Sequence, residues 1–451
     1  MNCDLARTEM IAYLQGELPA EQKTALELHL AGCPDCRAQL EQSRRLLEWT
    51  AAASDEAVIS MVDEIILDAF QTGASDIHLD PQSDNSLRVR YRVDGVLQDV
   101  RRLDPLLREG IVARLKMMCE MNVTETRLAQ DGLAFVRSRD DRTLEIIILT
   151  NPFLWGEGVV IRFLDTGRTL PGMGALGLSD SSRDAIEHLL HQPSGLLIVT
   201  GPTGSPLPPS GVGNATTLYA MLQEINNPGI KIVTIEKPAV YRVEGICQSM
   251  VNGTIGYTLP RALRSVMRMD PDVILVGEVP NAETAQLCLQ LALTGHLIIA
   301  SLDTTHEALF AIQHLRNMGQ DDVILGSSLI GVVAQRLVRK VCPVCKQEFT
   351  PGPNDPYLRA LGITDADAAG HTLVRGAGCD ACRRTGYRDR TSLFEVLTLN
   401  KEMAALIGSG ADMAAIADAA RAAGHRSLRD DGRQKVLDGV TTPEEVIRVL
   451  A

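Results

Sequence analysis

Residues 196–222 read LLIVTGPTGSPLPPSGVGNATTLYAML: an apolar run, a turn rich in glycine and proline, then the start of an amphipathic helix. That order is the plan of a phosphate-binding loop, G-x-x-x-x-G-K-[ST]. Its backbone N–H groups cradle phosphates, its Lys reaches the β- and γ-phosphates, and its hydroxyl holds Mg²⁺. Here the cation is gone, because no Lys occurs in the stretch. Gly201-Pro202-Thr203-Gly204-Ser205 is echoed by Pro208-Pro209-Ser210-Gly211-Val212, so the loop can be registered in two ways. In the first, Pro206 and Leu207 stand where Gly-Lys belongs; in the second, Pro208 replaces the leading Gly, Asn214 the Lys and Ala215 the hydroxyl residue. Pro206, Pro208 and Pro209 also have no N–H to offer. Gly201, Pro202, Thr203, Gly204, Ser205, Gly213, Asn214, Thr216 and Thr217 remain as candidate contacts for a weakly held phosphate. The alternative is an ordinary strand, turn and helix without a ligand.

Two carboxylates follow apolar runs. Glu236 ends Ile230 to Ile235, and Glu278 follows Val273 to Val276 and Gly277. If these runs are parallel strands, both carboxylates reach the strand ends where ligands bind in such folds. Glu278 then reads as the acid that orients Mg²⁺ or the attacking water in nucleotide hydrolysis. His296, after Thr294-Gly295, is expected to open the next strand and sense a γ-phosphate. Taken singly, each of the three also has a purely structural reading.

Six of the ten cysteines form three C-x-x-C pairs: Cys33/Cys36, Cys342/Cys345 and Cys379/Cys382. In a chain without a secretion signal this spacing points to zinc before disulfides. Cys3, His29, Cys33 and Cys36 make a tetrahedral set of three thiolates and one imidazole, against the plainer reading of a surface His beside a stray pair. The pairs at Cys342/Cys345 and Cys379/Cys382 give a closed four-thiolate site, which is structural because no coordination position stays open. Cys119, Cys247 and Cys288 lie in apolar surroundings and read as core residues.

The elements that hold these groups can be read from periodicity. A helix from Asp4, a turn at Gly16 to Pro19 with Pro19 at a first helical position, and a second helix to Ala31 bring the N-terminal ligands together. Helix then continues to a small-residue linker at Ala51 to Ser54. Val58, Met61, Val62, Ile65, Ile66 and Ala69 mark a core-facing helix. Leu87 to Val93 alternates strictly, with Arg88, Arg90 and Arg92 on one face and Val89, Tyr91 and Val93 on the other, before a hairpin turn at Asp94-Gly95. Three arginines on one strand face read first as a solvated face; the second reading, which makes them candidate nucleotide-site residues, is a face that meets the nucleotide domain. A helix over Leu106 to Met121 and strands at Ala134 to Arg137, Thr143 to Leu149 and Val159 to Phe163 complete an α+β stretch. Beyond a glycine-rich connector, strands at Leu196 to Thr200, Ile230 to Ile235, Val273 to Val276 and Leu297 to Leu302 alternate with helices, the pattern of a parallel sheet. The tail from Ser409 reads as helical.

At 451 residues the chain holds about three domains. Its formal charge of -13 argues against a nucleic-acid partner. No apolar run reaches the roughly 18 residues of a membrane span, and MNCDLARTEM is no signal peptide, so a cytoplasmic place is expected.

Several ordered stretches resemble the ATPases that power type II secretion and type IV pilus assembly. They are ASDIHLDP (Ala74 to Pro81), RVRYRVDGVL (Arg88 to Leu97), GPTGS (Gly201 to Ser205), TTLYA (Thr216 to Ala220), RALRSVMRMDPDVILVGE (Arg261 to Glu278), ETAQ (Glu283 to Gln286), LTGHL (Leu293 to Leu297), the paired C-x-x-C, and TGYRDRTSLFEVL (Thr385 to Leu397). The resemblance covers Val58 to the C-terminus. The first 45 residues, with Cys3 and His29-Leu-Ala-Gly-Cys33-Pro-Asp-Cys36, resemble the zinc-binding domain of anti-sigma factors, a docking module. These resemblances imply an α/β protein: a RecA-like P-loop NTPase core, a preceding α+β domain, a four-cysteine zinc insert, a helical C-terminal region and a small helical N-terminal zinc domain. The corresponding segments are 1–45, a linker at 46–57, 58–165, 166–340, 341–395 and 396–451.

They also imply two structural Zn²⁺ sites, ATP and Mg²⁺ as ligands, a hexameric ring, inner-membrane platform proteins as partners, a position peripheral to the inner membrane, and a protein partner for the zinc module. The departures fall on charged residues. The family pattern GPTGSGK[ST]TTLYA is interrupted here. T-I-E-D-P-x-E becomes Thr234-Ile-Glu-Lys-Pro-Ala-Val240, G-E-I-R-D becomes Gly277-Glu-Val-Pro-Asn281, and the second His of the histidine box is Asp303. Three arginines expected in the α+β domain are Leu133, Ile147 and Gly158. Scaffold residues survive while ligand-facing charges are lost, which implies a pseudo-ATPase. An active motor with a rewired site, Lys237 supplying the cation, and a regulatory binding protein acting through the zinc module are the alternatives.

Overall fold

Asn2 caps the first helix, its side chain accepting from Leu5 N at 2.9 Å, so Cys3 is the first helical residue rather than its predecessor. The computed structural model describes every residue except 54–55, 165–169, 202–212, 238, 240, 305–306, 353–354 and 451. Helices Cys3–Gln15 (α1), Ala20–Gly32 (α2) and Pro34–Ala53 (α3) bury Ala6, Met10, Leu26, Leu30 and Leu40 around Cys36. Pro19 takes the N-cap position of α2 instead of the first helical one. α3 runs unbroken through most of the expected linker, because an alanine run is a strong helix former as well as a common linker composition.

Glu56–Gln71 (α4) turns Val58, Val62, Ile65, Ile66 and Ala69 inward. The strands are Ala74–Pro81 (β1), Leu87–Val93 (β2), Val96–Leu103 (β3), Gln130–Arg137 (β4), Thr143–Phe153 (β5) and Gly156–Leu164 (β6), with Arg108–Met118 (α5) between β3 and β4. They form one antiparallel sheet in the order β3-β2-β1-β6-β5-β4, whose inner face shares a core with α4 and α5. In β2, Leu87, Val89 and Tyr91 are buried while Arg88, Arg90 and Arg92 are half-buried on the other face. Asp94 and Gly95 both have positive φ, 48° and 81°, the twist of a two-residue hairpin turn. The helix expected from Leu106 opens as a 3₁₀ turn at Pro105–Leu107, capped by Asp104, before α5 begins. These elements make up a compact unit, Met1–Leu164.

The second unit, Asp165–Ala451, opens with Asp180–Leu190 (α6). Gly195–Gly201 (β7), Asn214–Ile225 (α7), Ile232–Glu236 (β8), Cys247–Met250 (β9), Leu259–Val266 (α8), Val273–Val276 (β10), Ala282–Leu293 (α9), Leu297–Asp303 (β11), Ala308–Asn317 (α10), Asp322–Ser328 (α11) and Leu329–Val341 (β12) follow. The cysteine-bearing region contains Lys346–Glu348 (β13), Pro356–Ala360 (α12), Asp365–Ala369 (α13) and Val374–Gly376 (β14). Tyr387–Thr398 (β15) returns to the main sheet, and Lys401–Gly408 (α14), Met413–Ala422 (α15), Leu428–Leu437 (α16) and Pro443–Leu450 (α17) end the chain. The seven-stranded order is β15-β12-β7-β11-β10-β8-β9, parallel from β12 to β9, with β15 antiparallel at one edge. Every residue of β7, β8 and β10 is buried, as strands covered on both faces must be. Their side chains feed two apolar cores, one on each face.

Candidate functional site

β7 ends at Gly201 and α7 opens at Asn214 with Gly213 as its N-cap. Pro202, Thr203, Gly204, Ser205 and the three prolines lie outside the described residues. The helix start matches the second register, with Asn214 and Ala215 in the first turn where a phosphate loop has its Lys and hydroxyl. Asn214 turns toward the sheet: its Oδ1 accepts from Gln335 Nε2 at 2.8 Å, and its Nδ2 lies 3.5 Å from Ser301 Oγ. It packs closely on β7: a Cβ at Gly201 would sit 2.4 Å from Asn214 Oδ1, so a larger residue there would push the Asn214 side chain aside. Thr217 Oγ1 donates to Gln335 Oε1 at 2.6 Å, and the Thr216 hydroxyl lies 3.2 Å from that of Tyr241. Both threonines are fully buried, so their hydroxyls serve the interior.

Glu236 is buried at the carboxyl end of β8 and accepts from Tyr219 at 2.7 and 2.8 Å and from Thr234 at 2.6 Å. Gln248 Nε2 donates to the Tyr219 hydroxyl at 2.7 Å. Burial, followed by the Glu236 charge, pushes the Tyr219 phenol well above its usual range. The neighbouring strand carries Glu278 to the same edge. Gly277 N donates to Ile235 O at 2.9 Å, and a Cβ on Gly277 would lie 3.3 Å from both Cα and Cγ of Glu236. Glu278 is half-buried and has no hydrogen-bond or ion-pair partner among the described residues. Lys237, next after Glu236, is exposed. Asp303 ends β11 opposite Gly201.

His296 does not join this edge. It precedes β11, its carbonyl accepting from Gly195 N at 3.1 Å, whereas the candidate loop follows Gly201 at the other end of β7. At ~3.3 Å per residue a strand of this length separates the two ends by roughly 20 Å. The γ-phosphate sensor expected at His296 is therefore corrected: its Nδ1 lies 3.1 Å from Leu291 O and 3.3 Å from Thr294 Oγ1, in the turn that closes α9.

Arg88, Arg90 and Arg92 each have a carboxylate on their own sheet. Arg88 makes a two-pronged pair with Asp99 at 2.5 and 2.6 Å, Arg90 pairs with Asp80 at 2.7 Å, and Arg92 lies 3.8 Å from Asp76 while donating to Gly95 O at 3.0 Å. All three arginines thus have an ion-pair partner within the first unit.

The eight candidate metal ligands fall into two clusters, Cys3/His29/Cys33/Cys36 and Cys342/Cys345/Cys379/Cys382, with ligand atoms within 4.8 Å of one another in each. Zinc with Zn–S bonds of ~2.3 Å sets tetrahedral S···S edges of about 3.8 Å. In the C-terminal cluster the sulfurs of Cys342 and Cys379 are 3.9 Å apart, Cys345 and Cys382 3.8 Å, and Cys379 and Cys382 3.7 Å. Burial works against ionisation of Cys382, but the N–H groups of Cys379 and Gly386 outweigh it and bring its thiol down to about 6. In the N-terminal cluster Cys3 and Cys33 are 3.9 Å apart and His29 Nε2 is 3.3 Å from Cys36 Sγ. Both donor sets fit a tetrahedral zinc ion.

Tyr219, Gln248 and Gln335, none of them a candidate from sequence, hold Glu236, Thr217 and Asn214 at this end of the sheet. Gln335 carried one signal, an amide directly after the apolar run Leu329 to Ala334.

The sequence matches the model of the Type II/IV secretion system protein family over residues 51–448, and the model of a zinc-finger family over residues 3–37. It is 39% identical to the Type II secretion system protein E of Dickeya dadantii over 397 residues, covering 88% of this chain and 76% of that one. It is 38% identical to the type IV pilus assembly ATPase PilB of Thermus thermophilus over 394 residues, 87% of this chain and 43% of that one. The fold is similar to that of the ATPase DotB of Legionella pneumophila, with a TM-score of 0.62 at 18% identity over 87% of this chain and 95% of that one. The parallel sheet is thus a RecA-like core, and the chain belongs to the Type II/IV secretion system protein family, that of the type II secretion and type IV pilus ATPases.

Proposed function

We propose that this chain is a secretion or pilus motor homologue that keeps the motor's scaffold and turns over ATP poorly or not at all. One observation carries the reading: a neutral amide, Asn214, stands where the loop Lys belongs, and that amide is engaged by Gln335. The remaining departures act in the same direction. Lys237, Val240, Pro280, Asn281, Asp303, Leu133, Ile147 and Gly158 all stand where the resemblance implies ligand-facing charge or imidazole. Removing one preorganised charge donor from a transition-state site costs on the order of 10²–10³ in rate, so losing several leaves little hydrolysis. Any MgATP is held weakly, through Gly201, Gly213 and the α7 N-terminus.

In this reading the protein is a structural or regulatory member of a secretion or pilus assembly. It sits on the cytoplasmic side of the inner membrane, in a hexameric ring and against platform proteins. Segments 58–165 and 166–340 are its motor-like domains, 341–395 a zinc-stapled insert, 396–451 a helical region, and 1–45 a zinc module that docks a protein partner. Both zinc ions are structural, since each cluster supplies four ligands.

A second reading, an active motor with a rewired site, is favoured by Glu278, which has no partner among the described residues, and by the exposed Lys237 beside Glu236. The deciding experiment is steady-state ATPase activity against a Glu278→Gln control. Activity at the control's level supports the pseudo-ATPase; activity clearly above it supports the second reading.

A further inference from the structure

The first unit's sheet ends on β4, and that edge is open. Among the described residues, 131–137 make no backbone hydrogen bond beyond the β4–β5 ladder. Sheets commonly blunt such edges with proline, bulges or charged side chains, because an unpaired strand is a template for another one. The opposite edge follows that rule: β3 shifts register against β2 and carries Asp99, Arg101 and Arg102. β4 runs eight residues without a proline or a register shift, and its centre is Leu-Ala-Phe. Leu133 and Phe135 stand on the outer face, exposed by 43% and 60%, with Ile147 of β5 opposite Leu133; Ala134 and Val136 are buried on the inner face.

The strand is its own complement. Positions 131 and 137, like 133 and 135, are equidistant from Ala134. Laid antiparallel on a second copy about a two-fold axis at Ala134, β4 therefore sets Leu133 opposite Phe135 of the second copy, and Asp131 opposite its Arg137, each pair occurring twice. Leu133 and Ile147 stand where the family resemblance implies arginine. With arginines there the pairing would crowd like charges; with Leu and Ile it forms an apolar strip across the junction. The ion pairs already present leave the complementarity intact. Arg137 meets Asp141 at 3.4 Å, but these side chains are 79% and 83% exposed, and such a surface pair holds its members weakly. At the same end of the strand Arg142 is paired with Asp140, and Arg139 has no ion-pair partner among the described residues. At the other end Arg127 is paired with Glu125, while Asp131 is exposed and has no ion-pair partner among the described residues. One end stays positive and the other negative, as an antiparallel pairing with itself requires.

We propose that β4 pairs antiparallel with β4 of a second copy of this chain, joining two six-stranded sheets into one across a two-fold axis. Such an interface is isologous and closes after two copies, unlike the head-to-tail contacts of a ring. The pairing is thus independent of the ring and of the ATP turnover considered above.

The test is sedimentation of the full chain over a series of concentrations. Wild type is expected to reach twice the mass of Phe135→Lys, whether the unit being doubled is a single chain or a ring. Arg137→Asp places like charges opposite one another twice, and should weaken the pairing about tenfold or more; Asp131→Arg should do the same. Combining the two reversals rebuilds each pair in the opposite sense and should return the affinity to near the wild-type value, which a merely structural defect would not do. Thermal unfolding checks that the variants fold, and if Phe135→Lys does not, the two reversals and their combination decide the matter. The proposal is overturned if wild type and the variants have the same mass at every concentration, or if the single reversals leave the association unchanged. It is also overturned if the combined variant stays as weak as the single ones, since a different register or a different strand then occupies this edge.

Discussion

Glu445→Gln should destabilise the second unit at neutral pH and do so less as the pH falls. Glu445 lies at the start of α17 with its carboxylate fully buried, accepting from Arg339 N at 3.0 Å, Arg339 Nε and Nη2 at 3.1 and 2.7 Å, and Arg448 Nε and Nη2 at 2.8 and 2.6 Å. Arg339 in turn lies over the Tyr387 ring at 4.2 Å, so one carboxylate ties the last helix to β12 and β15. Burial alone would raise this carboxyl, but the hydrogen bonds from Arg448 and Arg339 outweigh it and bring it down to about 2 from 4.5. That difference corresponds to about 3 kcal/mol, comparable with the roughly 3–5 kcal/mol lost when one partner of a buried pair is removed. The sign follows from the direction. A carboxyl depressed in the folded state contributes fully above its unfolded value of about 4.5, and the contribution fades as pH falls toward 2. Urea unfolding of wild type and variant, at pH 7 and at steps below pH 4.5, should show a gap of about 3 kcal/mol that narrows with acid. A gap below about 0.5 kcal/mol at pH 7, or one that does not narrow with acid, would refute the latch.

Metal analysis of the purified chain should find close to two zinc ions. Cys3→Ser should remove one and loosen only the N-terminal helices, while Cys342→Ser should remove the other and disturb the insert; a content near one would eliminate the N-terminal site. Gly376→Ala places a Cβ 2.0 Å from Gly386 O, against backbone that cannot swing away, and should destabilise the insert by on the order of 1–3 kcal/mol in thermal unfolding. An unchanged melting temperature would show that the strand pair β13–β14 shifts freely. Duplex DNA should bind weakly at most and be released in modest salt, given the charge of -13; salt-resistant binding in a mobility-shift assay would contradict that.

Patterns that repeat along the chain were legible. The alternation of β2 gave its two faces, Asp94-Gly95 gave its turn, and the apolar runs gave β7, β8, β10 and β11 to within about two residues. The C-x-x-C spacing likewise anticipated two four-ligand clusters. What failed depended on contacts between distant residues. His296 and Asp303 are close in sequence, yet they bracket a parallel strand and so belong to opposite edges of the sheet. The Ala51 to Ala53 run suits a linker or a helix, and α3 takes the helix. That Glu236 would be enclosed by Tyr219 and Thr234, and Asn214 held by Gln335 from β12, follows only from strand order.

The central claim is tested most directly by titrating the purified chain with MgATP while following turnover, beside a variant that deletes residues 206–212 and carries Asn214→Lys and Ala215→Thr. Those changes recreate GPTGSGKTTTLYA. The natural chain should bind weakly and hydrolyse no faster than its Glu278→Gln variant, and the repaired chain should bind tightly with little turnover, because the losses at Val240, Asp303 and the arginine positions remain. Tight MgATP binding with hydrolysis by the natural chain would contradict the account and require the inserted prolines to build a new phosphate cradle.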